Sequence, residues 1–172
     1  MADRELADRA TSLLDLCRDR GLKIATAESC TGGLVAAALT DIAGSSDVLD
    51  RGFVTYSNAA KQVMLSVPAA TLEQFGAVSR QTAESMAKGV LAHAPVDLAV
   101  SITGIAGPGG ATDGKPIGLV HFAAATRSGR LVHQECQYGD IGRAQVRRAS
   151  VIQALAILQA LAELEAVKAK RA

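Results

Sequence analysis

The sequence contains no tryptophan, and aromatic residues make up only 3% of its 172 residues. Stacking surfaces for bases would therefore have to be built from very few rings. The net charge is only +1, so no strong electrostatic attraction to nucleic acid or to an anionic membrane is expected. No apolar run reaches the roughly 20 residues of a membrane-spanning helix. We therefore predict that neither nucleic acid nor a membrane is a partner.

Cysteine is also scarce, and its three residues lie far apart in the sequence: Cys17, Cys30 and Cys136. An odd number of cysteines without a CxxC pair indicates neither a disulfide framework nor a zinc site, so we expect no metal and no cofactor. The first ten residues, MADRELADRA, carry charges throughout and contain no apolar signal core. These features predict a reduced, cytoplasmic location.

Apolar residues make up 49% of the chain, and their spacing alternates between helical and strand-like patterns. This predicts a single α/β domain over residues 1–172. Strands are predicted at 22–27, 52–57 and 96–104, with a hairpin of 117–126 and 130–138. Helices are predicted at 3–20, 31–43, 59–67, 71–75, 80–94 and 141–168, with Asn58 and Ser79 as caps. The expected fold is layered, with a mixed, mostly parallel sheet, a C-terminal hairpin and helices on both faces.

Three turns rich in glycine or hydroxyl residues each follow a predicted strand: ESCTGG at 28–33, YSNAAK at 56–61 and TGIAGPGG at 103–110. Ligands bind at the carboxyl ends of the strands in open α/β sheets, so the three turns together predict one pocket. The helix predicted after ESCTGG would offer unpaired N–H groups to a phosphate, a carboxylate or a developing oxyanion.

The first two turns contain side chains suited to nucleophilic catalysis. No His–Asp pair stands out, so lysine is the candidate base: burial lowers the pKa of a lysine, and its neutral amine can then take a proton. Lys61 fits this role, with Tyr56 as a proton relay. The residues themselves leave four nucleophiles open, which are Ser29, Cys30, Ser46 and Ser57. Near the last helix, Arg143 and Arg147 are one turn apart, which suits anion recognition as well as a solvated helix face.

Several long motifs closely resemble the CinA C-terminal domain family over about residues 5 to 160: TAESCTGGLVAAALTDIAGSS, RGFVTYSNAAK, GAVS and AVSITGIAGPGG followed by KPIGLVHFA. The resemblance implies hydrolysis of the carboxamide of nicotinamide mononucleotide to nicotinate mononucleotide and ammonia, a step in pyridine nucleotide recycling. It also implies a Ser–Lys mechanism without metal, in which Ser29 is the nucleophile, Lys61 the base and Tyr56 an assistant. The residues predicted to bind substrate are Cys30, Thr31, Gly32, Gly33, Ser46, Asn58, Thr103, Gly104, Gly107, Gly109 and Arg143.

Two other functions fit parts of the sequence. A non-catalytic nucleotide- or phosphate-binding module would use TGG and GPGG as phosphate cradles, and an interaction subunit would use the alanine-rich helices. Phosphate binding alone does not need a phenol and a lysine beside a hydroxyl, so Ser29, Lys61 and Tyr56 together favour the enzyme. The expected partner is a small-molecule nucleotide substrate, and the expected assembly is a homo-oligomer, favoured as a dimer.

Overall fold

The computed structural model describes residues 3–168 and shows a five-stranded sheet flanked by six α-helices. In chain order the elements are α1 (Arg4–Arg20), β1 (Ile24–Glu28), α2 (Leu34–Thr40), a 3-10 turn (Ser45–Asp47), β2 (Leu49–Val54), α3 (Asn58–Leu65), α4 (Ala69–Phe75), α5 (Arg80–His93), β3 (Leu98–Gly104), β4 (Leu119–Thr126), β5 (Leu131–Gln137) and α6 (Arg143–Leu164).

The strands lie in the order β2-β1-β3-β4-β5. β1 is parallel to both β2 and β3, whereas β4 is antiparallel to β3 and to β5. Four of the five strands therefore point in one direction, which confirms the predicted mixed, mostly parallel sheet with its C-terminal hairpin. The topology also brings the carboxyl ends of β1, β2 and β3 to the same edge, where the three polar turns follow.

Successive side chains of each strand face opposite sides of the sheet. Ile24 of β1 and Val100 of β3 pack with α1, α2 and α6, whereas Ala25 and Ala99 pack with α3, α4 and α5. Burial on both faces explains why the apolar residues of β3 occupy both sides of the strand, and it confirms helices on both faces. None of the helices within residues 3–168 combines the length and apolarity that crossing a membrane requires.

Several predicted boundaries are wrong: the second strand spans Leu49–Val54 and not 52–57, and the last helix spans Arg143–Leu164 and not 141–168. Two other differences have a local reason. The helix predicted from residue 31 begins at Leu34, because Gly32 and Gly33 have φ values of 61° and 100° and belong to a turn. The cap of α3 is Ser57, whose Oγ accepts a hydrogen bond from the Ala60 N–H at 3.0 Å, and not Asn58, which is the first helical residue. Ser79 caps α5 as predicted.

Candidate active site

Ser29 is the first residue after β1, and two backbone hydrogen bonds fix its position. Its N–H donates to the Ile102 carbonyl of the neighbouring β3 at 2.9 Å, which extends the parallel ladder by one residue. Its own carbonyl accepts from the Gly32 N–H at 3.0 Å, which closes a tight turn. The hydroxyl is thereby held at the carboxyl edge of the sheet, at the wall of a cavity.

Lys61 reaches this hydroxyl from α3. The helix exposes Val63 by 82% and buries Lys61 beside Leu65, so the lysine side chain lies on the face that packs against the sheet and is only 1% exposed. Its Nζ lies 3.0 Å from Ser29 Oγ and 2.8 Å from the Thr55 carbonyl oxygen. Loss of hydration disfavours the ammonium and lowers the pKa of Lys61 from 10.5 to about 8. A substantial fraction of Lys61 is therefore neutral near physiological pH and able to accept the Ser29 proton.

The other three candidate nucleophiles lack a comparable arrangement. Burial raises the pKa of the Cys30 thiol to about 11, which keeps it protonated and poorly nucleophilic. Ser57 Oγ is engaged as the cap of α3. Ser46 lies in the 3-10 turn directly before β2, at the amino end of the sheet, so its predicted place in the site is wrong.

The cavity beside Ser29 has a volume of about 280 Å³, and the third polar turn forms much of its wall. Thr103, Gly104, Gly107 and Gly109 line it, as predicted. Glycine is required at position 104, because a Cβ there would lie 2.7 Å from Val120 Cγ2 and 2.9 Å from the Leu119 carbonyl oxygen. The close approach of β4 therefore fixes where this wall stands.

Tyr56 and Arg143 form the mouth of the cavity. Arg143 Nη1 donates to the Gly107 carbonyl oxygen at 2.9 Å, and Nη2 donates to the Tyr56 hydroxyl at 3.0 Å. Both acceptors are neutral, so they leave the positive charge of the guanidinium uncompensated. Tyr56 is 60% exposed, and its one hydrogen bond within residues 3–168 is the bond to Arg143. A role for Tyr56 in proton transfer stays a prediction.

Comparison with known proteins identifies the family of this chain. The family model described as the CinA C-terminal domain matches residues 6–162. The chain belongs to the CinA C-terminal domain family. This confirms the resemblance that the sequence motifs indicate.

Members of the CinA family with established names include close relatives of this chain. This chain is 49% identical over 159 residues to the nicotinamide-nucleotide amidohydrolase PncC of Escherichia coli K12. The alignment covers 92% of this chain and 95% of that protein. The chain is 50% identical over 141 residues to the PncC of Enterobacter agglomerans, covering 81% and 86%. The solved structure of the competence/damage inducible protein CihA from Agrobacterium tumefaciens superimposes with a TM-score of 0.90 at 54% identity, covering 91% of this chain and 95% of that one.

A side chain of the protein itself, Glu28, binds the free N–H groups at the start of α2 in this CinA-family chain. The Glu28 carboxylate accepts hydrogen bonds from the N–H groups of Gly33 and Val35 at 3.0 Å and of Ala36 at 2.9 Å. As the last residue of β1, Glu28 faces the layer that contains α2, so its side chain reaches the helix end. The carboxylate fills the position in which an anionic ligand would bind.

Four further residues predicted to bind substrate do not line the cavity. The Thr31 side chain is fully buried, Gly32 and Gly33 belong to the turn that Glu28 caps, and Asn58 is exposed at the start of α3. The first turn presents only its Ser29–Cys30 end to the cavity, and contact of these four residues with substrate stays a prediction. Cys30 does line it.

Ile105 and Ala106 of the predicted turn 103–110 also line the cavity. Ala77 and Val78 line it as well and were not predicted from the sequence. Ala77 and Val78 lie in the GAVS motif between α4 and α5, where the Thr103 hydroxyl donates to the Ala77 carbonyl oxygen at 2.7 Å. The motif carries part of the family resemblance, and this was the signal that could have identified them. Apolar residues in a loop otherwise give no sign of a binding role.

Proposed function

We propose that the protein hydrolyses the carboxamide of nicotinamide mononucleotide to nicotinate mononucleotide and ammonia. The observation that carries the proposal is the buried contact of 3.0 Å between Lys61 Nζ and Ser29 Oγ. The names of the relatives at about half identity supply the substrate class. A buried amine beside a serine hydroxyl is the arrangement that Ser–Lys nucleophilic catalysis requires.

In the first half of the proposed reaction, neutral Lys61 takes the proton of Ser29 while Oγ attacks the carboxamide carbon. Negative charge develops on the carboxamide oxygen and needs a donor in place beforehand. Within residues 3–168 the Cys30 N–H donates to no backbone carbonyl, and because it follows Ser29 directly it is the candidate donor. Lys61, now an ammonium, returns its proton to the leaving nitrogen, so ammonia departs and an ester to Ser29 remains.

In the second half, Lys61 is neutral again and takes a proton from water, whose oxygen attacks the ester. The Ser29 oxygen leaves with that proton, which gives the carboxylic acid product and restores the enzyme. Each proton that Lys61 accepts is used in the same half-reaction, so the cycle needs no metal or second base.

Arg143 is the candidate for recognising the phosphate of the mononucleotide. It lies at the mouth of the cavity, and its two hydrogen-bonded acceptors leave the other three N–H donors and the charge for an anion. A cavity of about 280 Å³ is at the small end of ligand pockets, which suits a pyridine ring inside and a phosphate outside.

The non-catalytic module is the weaker alternative, because it depends on the first glycine turn as a phosphate cradle. Glu28 occupies the N–H groups that such a cradle would use. The module also gives no reason for the burial of Lys61, which has a cost in stability.

The test is ammonia release from nicotinamide mononucleotide by the wild type and by Ser29→Ala and Lys61→Met, with Ser12→Ala and Lys88→Met as matched controls. We expect the first two variants to lose at least about 10³-fold in kcat and the two controls, which alter exposed residues, to keep the wild-type rate. A wild type that binds the nucleotide without releasing ammonia would establish the module instead. Activity that survives Ser29→Ala but not Cys30→Ala would identify the thiol as nucleophile.

A further inference from the structure

Arg147 contacts the nucleophile turn, which we define as residues 29–32, from α6. Its Nε donates to the Cys30 carbonyl oxygen at 3.1 Å, and its Nη2 donates to the Thr31 carbonyl oxygen at 3.2 Å. Arg147 itself does not line the cavity around Ser29. It therefore contacts the backbone beside the nucleophile and not the place where substrate would bind.

The peptide that Arg147 holds is the one that defines the shape of the turn. The Gly32 N–H donates to the Ser29 carbonyl oxygen, so the central peptide of this β-turn joins Cys30 and Thr31. Common turn types differ in the orientation of that peptide, and type II needs a positive φ at the third residue. Thr31 keeps a negative φ, which excludes a complete flip. The remaining freedom is a tilt of the central peptide. Arg147 restrains this tilt because its guanidinium binds the Cys30 carbonyl oxygen of that peptide.

The Cys30 N–H belongs to the preceding peptide, which meets the central peptide at the Cys30 Cα. A tilt that shifts this Cα would therefore move both groups on which the proposed reaction depends. The Ser29 hydroxyl must stay 3.0 Å from Lys61 Nζ, and the Cys30 N–H must face the substrate oxygen. The N–H groups of Cys30 and Thr31 act on the Cys30 sulfur and partly oppose the rise of its pKa that burial causes.

We propose that Arg147 is a positioning residue that holds the nucleophile turn in the geometry that places Ser29 against Lys61 and directs the Cys30 N–H at the substrate carbonyl. The inference rests on the proposed amidase function of Ser29. Because sterics at Thr31 already exclude the large rearrangement, loss of Arg147 displaces the reacting groups without unfolding the turn. A displacement of about 1 Å costs on the order of 100-fold in rate, so we expect kcat to fall by about 10- to 100-fold.

Arg148 provides a matched control on the same helix. Its guanidinium binds the carboxylates of Asp3 at 3.0 Å and Glu5 at 2.9 Å, away from the nucleophile turn. Arg148→Met removes the same charge and the same planar group as Arg147→Met and keeps an equally long apolar stem. A general effect of losing an arginine from α6 would appear equally in both variants.

The experiment measures kcat and KM for ammonia release from nicotinamide mononucleotide by the wild type, Arg147→Met, Arg147→Lys and Arg148→Met. The rate at which p-nitrophenyl acetate acylates Ser29 is measured for the same proteins by release of p-nitrophenol. Arg147→Ala is assayed with and without millimolar guanidinium chloride. Thermal unfolding of each variant separates catalytic loss from loss of folded protein.

We expect kcat and the acylation rate of Arg147→Met to fall in parallel, while its KM stays within about twofold of the wild-type value. This is the pattern of a transition-state effect. Arg147→Lys should recover only part of the loss, because an ammonium cannot hold two carbonyls in the same fork. Guanidinium should restore Arg147→Ala, whereas a variant that is merely destabilised would lose activity with a denaturant. Kinetics of Arg147→Met equal to those of Arg148→Met, or a change in KM alone, would overturn the proposal.

A failure of the proposed function gives a different result. If the wild type reacts with p-nitrophenyl acetate at Ser29 but releases no ammonia, the amidase function is wrong, and the ratio of acylation rates still decides the role of Arg147. If Ser29 of the wild type is unreactive in both assays, there is no nucleophile to position and the inference fails as well.

Discussion

Substitution of Lys61 by methionine tests whether burial holds the base neutral. The pKa of Lys61 is about 8 in the folded protein, against an ordinary value of 10.5. This difference corresponds to about 3 kcal/mol by which folding disfavours the ammonium. Between the two values the unfolded chain carries a protonated lysine and the folded protein a neutral one, so unfolding takes up a proton. Raising the pH through this interval therefore makes unfolding less favourable, and the wild type gains stability.

The magnitude follows from the same two pKa values. Between about pH 7 and pH 9.5, the unfolding free energy of the wild type should rise by about 2 kcal/mol relative to that of Lys61→Met. Other groups that titrate in this range are shared by both proteins, so their contributions cancel in the difference. At neutral pH the variant escapes the penalty of a buried charge but leaves the Thr55 carbonyl without its donor, which costs about 1–3 kcal/mol. The pH dependence of the difference is therefore a cleaner measure than its value at one pH.

The assay is urea denaturation of wild type and Lys61→Met at each pH, with Lys88→Met as a control for an exposed lysine. The control should track the wild type across the range. A difference between wild type and Lys61→Met that stays constant from pH 7 to pH 9.5, within about 0.5 kcal/mol, would refute the reasoning. The lysine would then have an ordinary pKa, and the proposed base would be almost fully protonated where it has to act.

Three further outcomes are expected. The kcat/KM for ammonia release should rise about tenfold per pH unit below pH 8 and level off above it, because only neutral Lys61 can take the nucleophile's proton; a flat profile from pH 6 to 9 would contradict this. Glu28→Gln should lower the unfolding free energy by about 1–3 kcal/mol, since an amide has one acceptor oxygen for three N–H groups, whereas the exposed Glu73→Gln should leave the denaturation midpoint unchanged. Gly89→Ala should cost about 1–3 kcal/mol, because the added Cβ would lie 2.2 Å from the Leu65 carbonyl oxygen; an unchanged midpoint would show that α3 does not pack so closely on α5.

The element order and the edge of the sheet that carries the site could be predicted from the sequence. Apolar spacing indicates the strands, and a turn that follows a parallel strand must lie at its carboxyl end. The same logic would have excluded Ser46, because a loop that precedes a parallel strand lies at the opposite edge. Strand direction was available from the sequence and was not applied to that residue.

The pairing of Ser29 with Lys61 could not be predicted from spacing, because 32 residues separate them. It depends on which face of α3 packs against the sheet, and the short sequence of that helix places a lysine where an apolar residue is expected. The capping of α2 by Glu28 was hidden for a related reason. The sequence shows a carboxylate near a helix start, but only the orientation of the last β1 residue decides whether that carboxylate reaches the helix or the ligand.

The proposed roles of Arg143 and Arg147 give α6 an influence on turnover that extends beyond the cavity. Arg143 lies at the mouth of the cavity and Arg147 holds the nucleophile turn, and because one turn of helix fixes their separation, the two positions cannot be adjusted independently. α6 in turn packs along α1, which contributes no residue to the cavity. Substitutions at the interface between these two helices therefore provide a way to change the reaction rate by moving both guanidinium groups together, while every residue that touches the substrate stays the same.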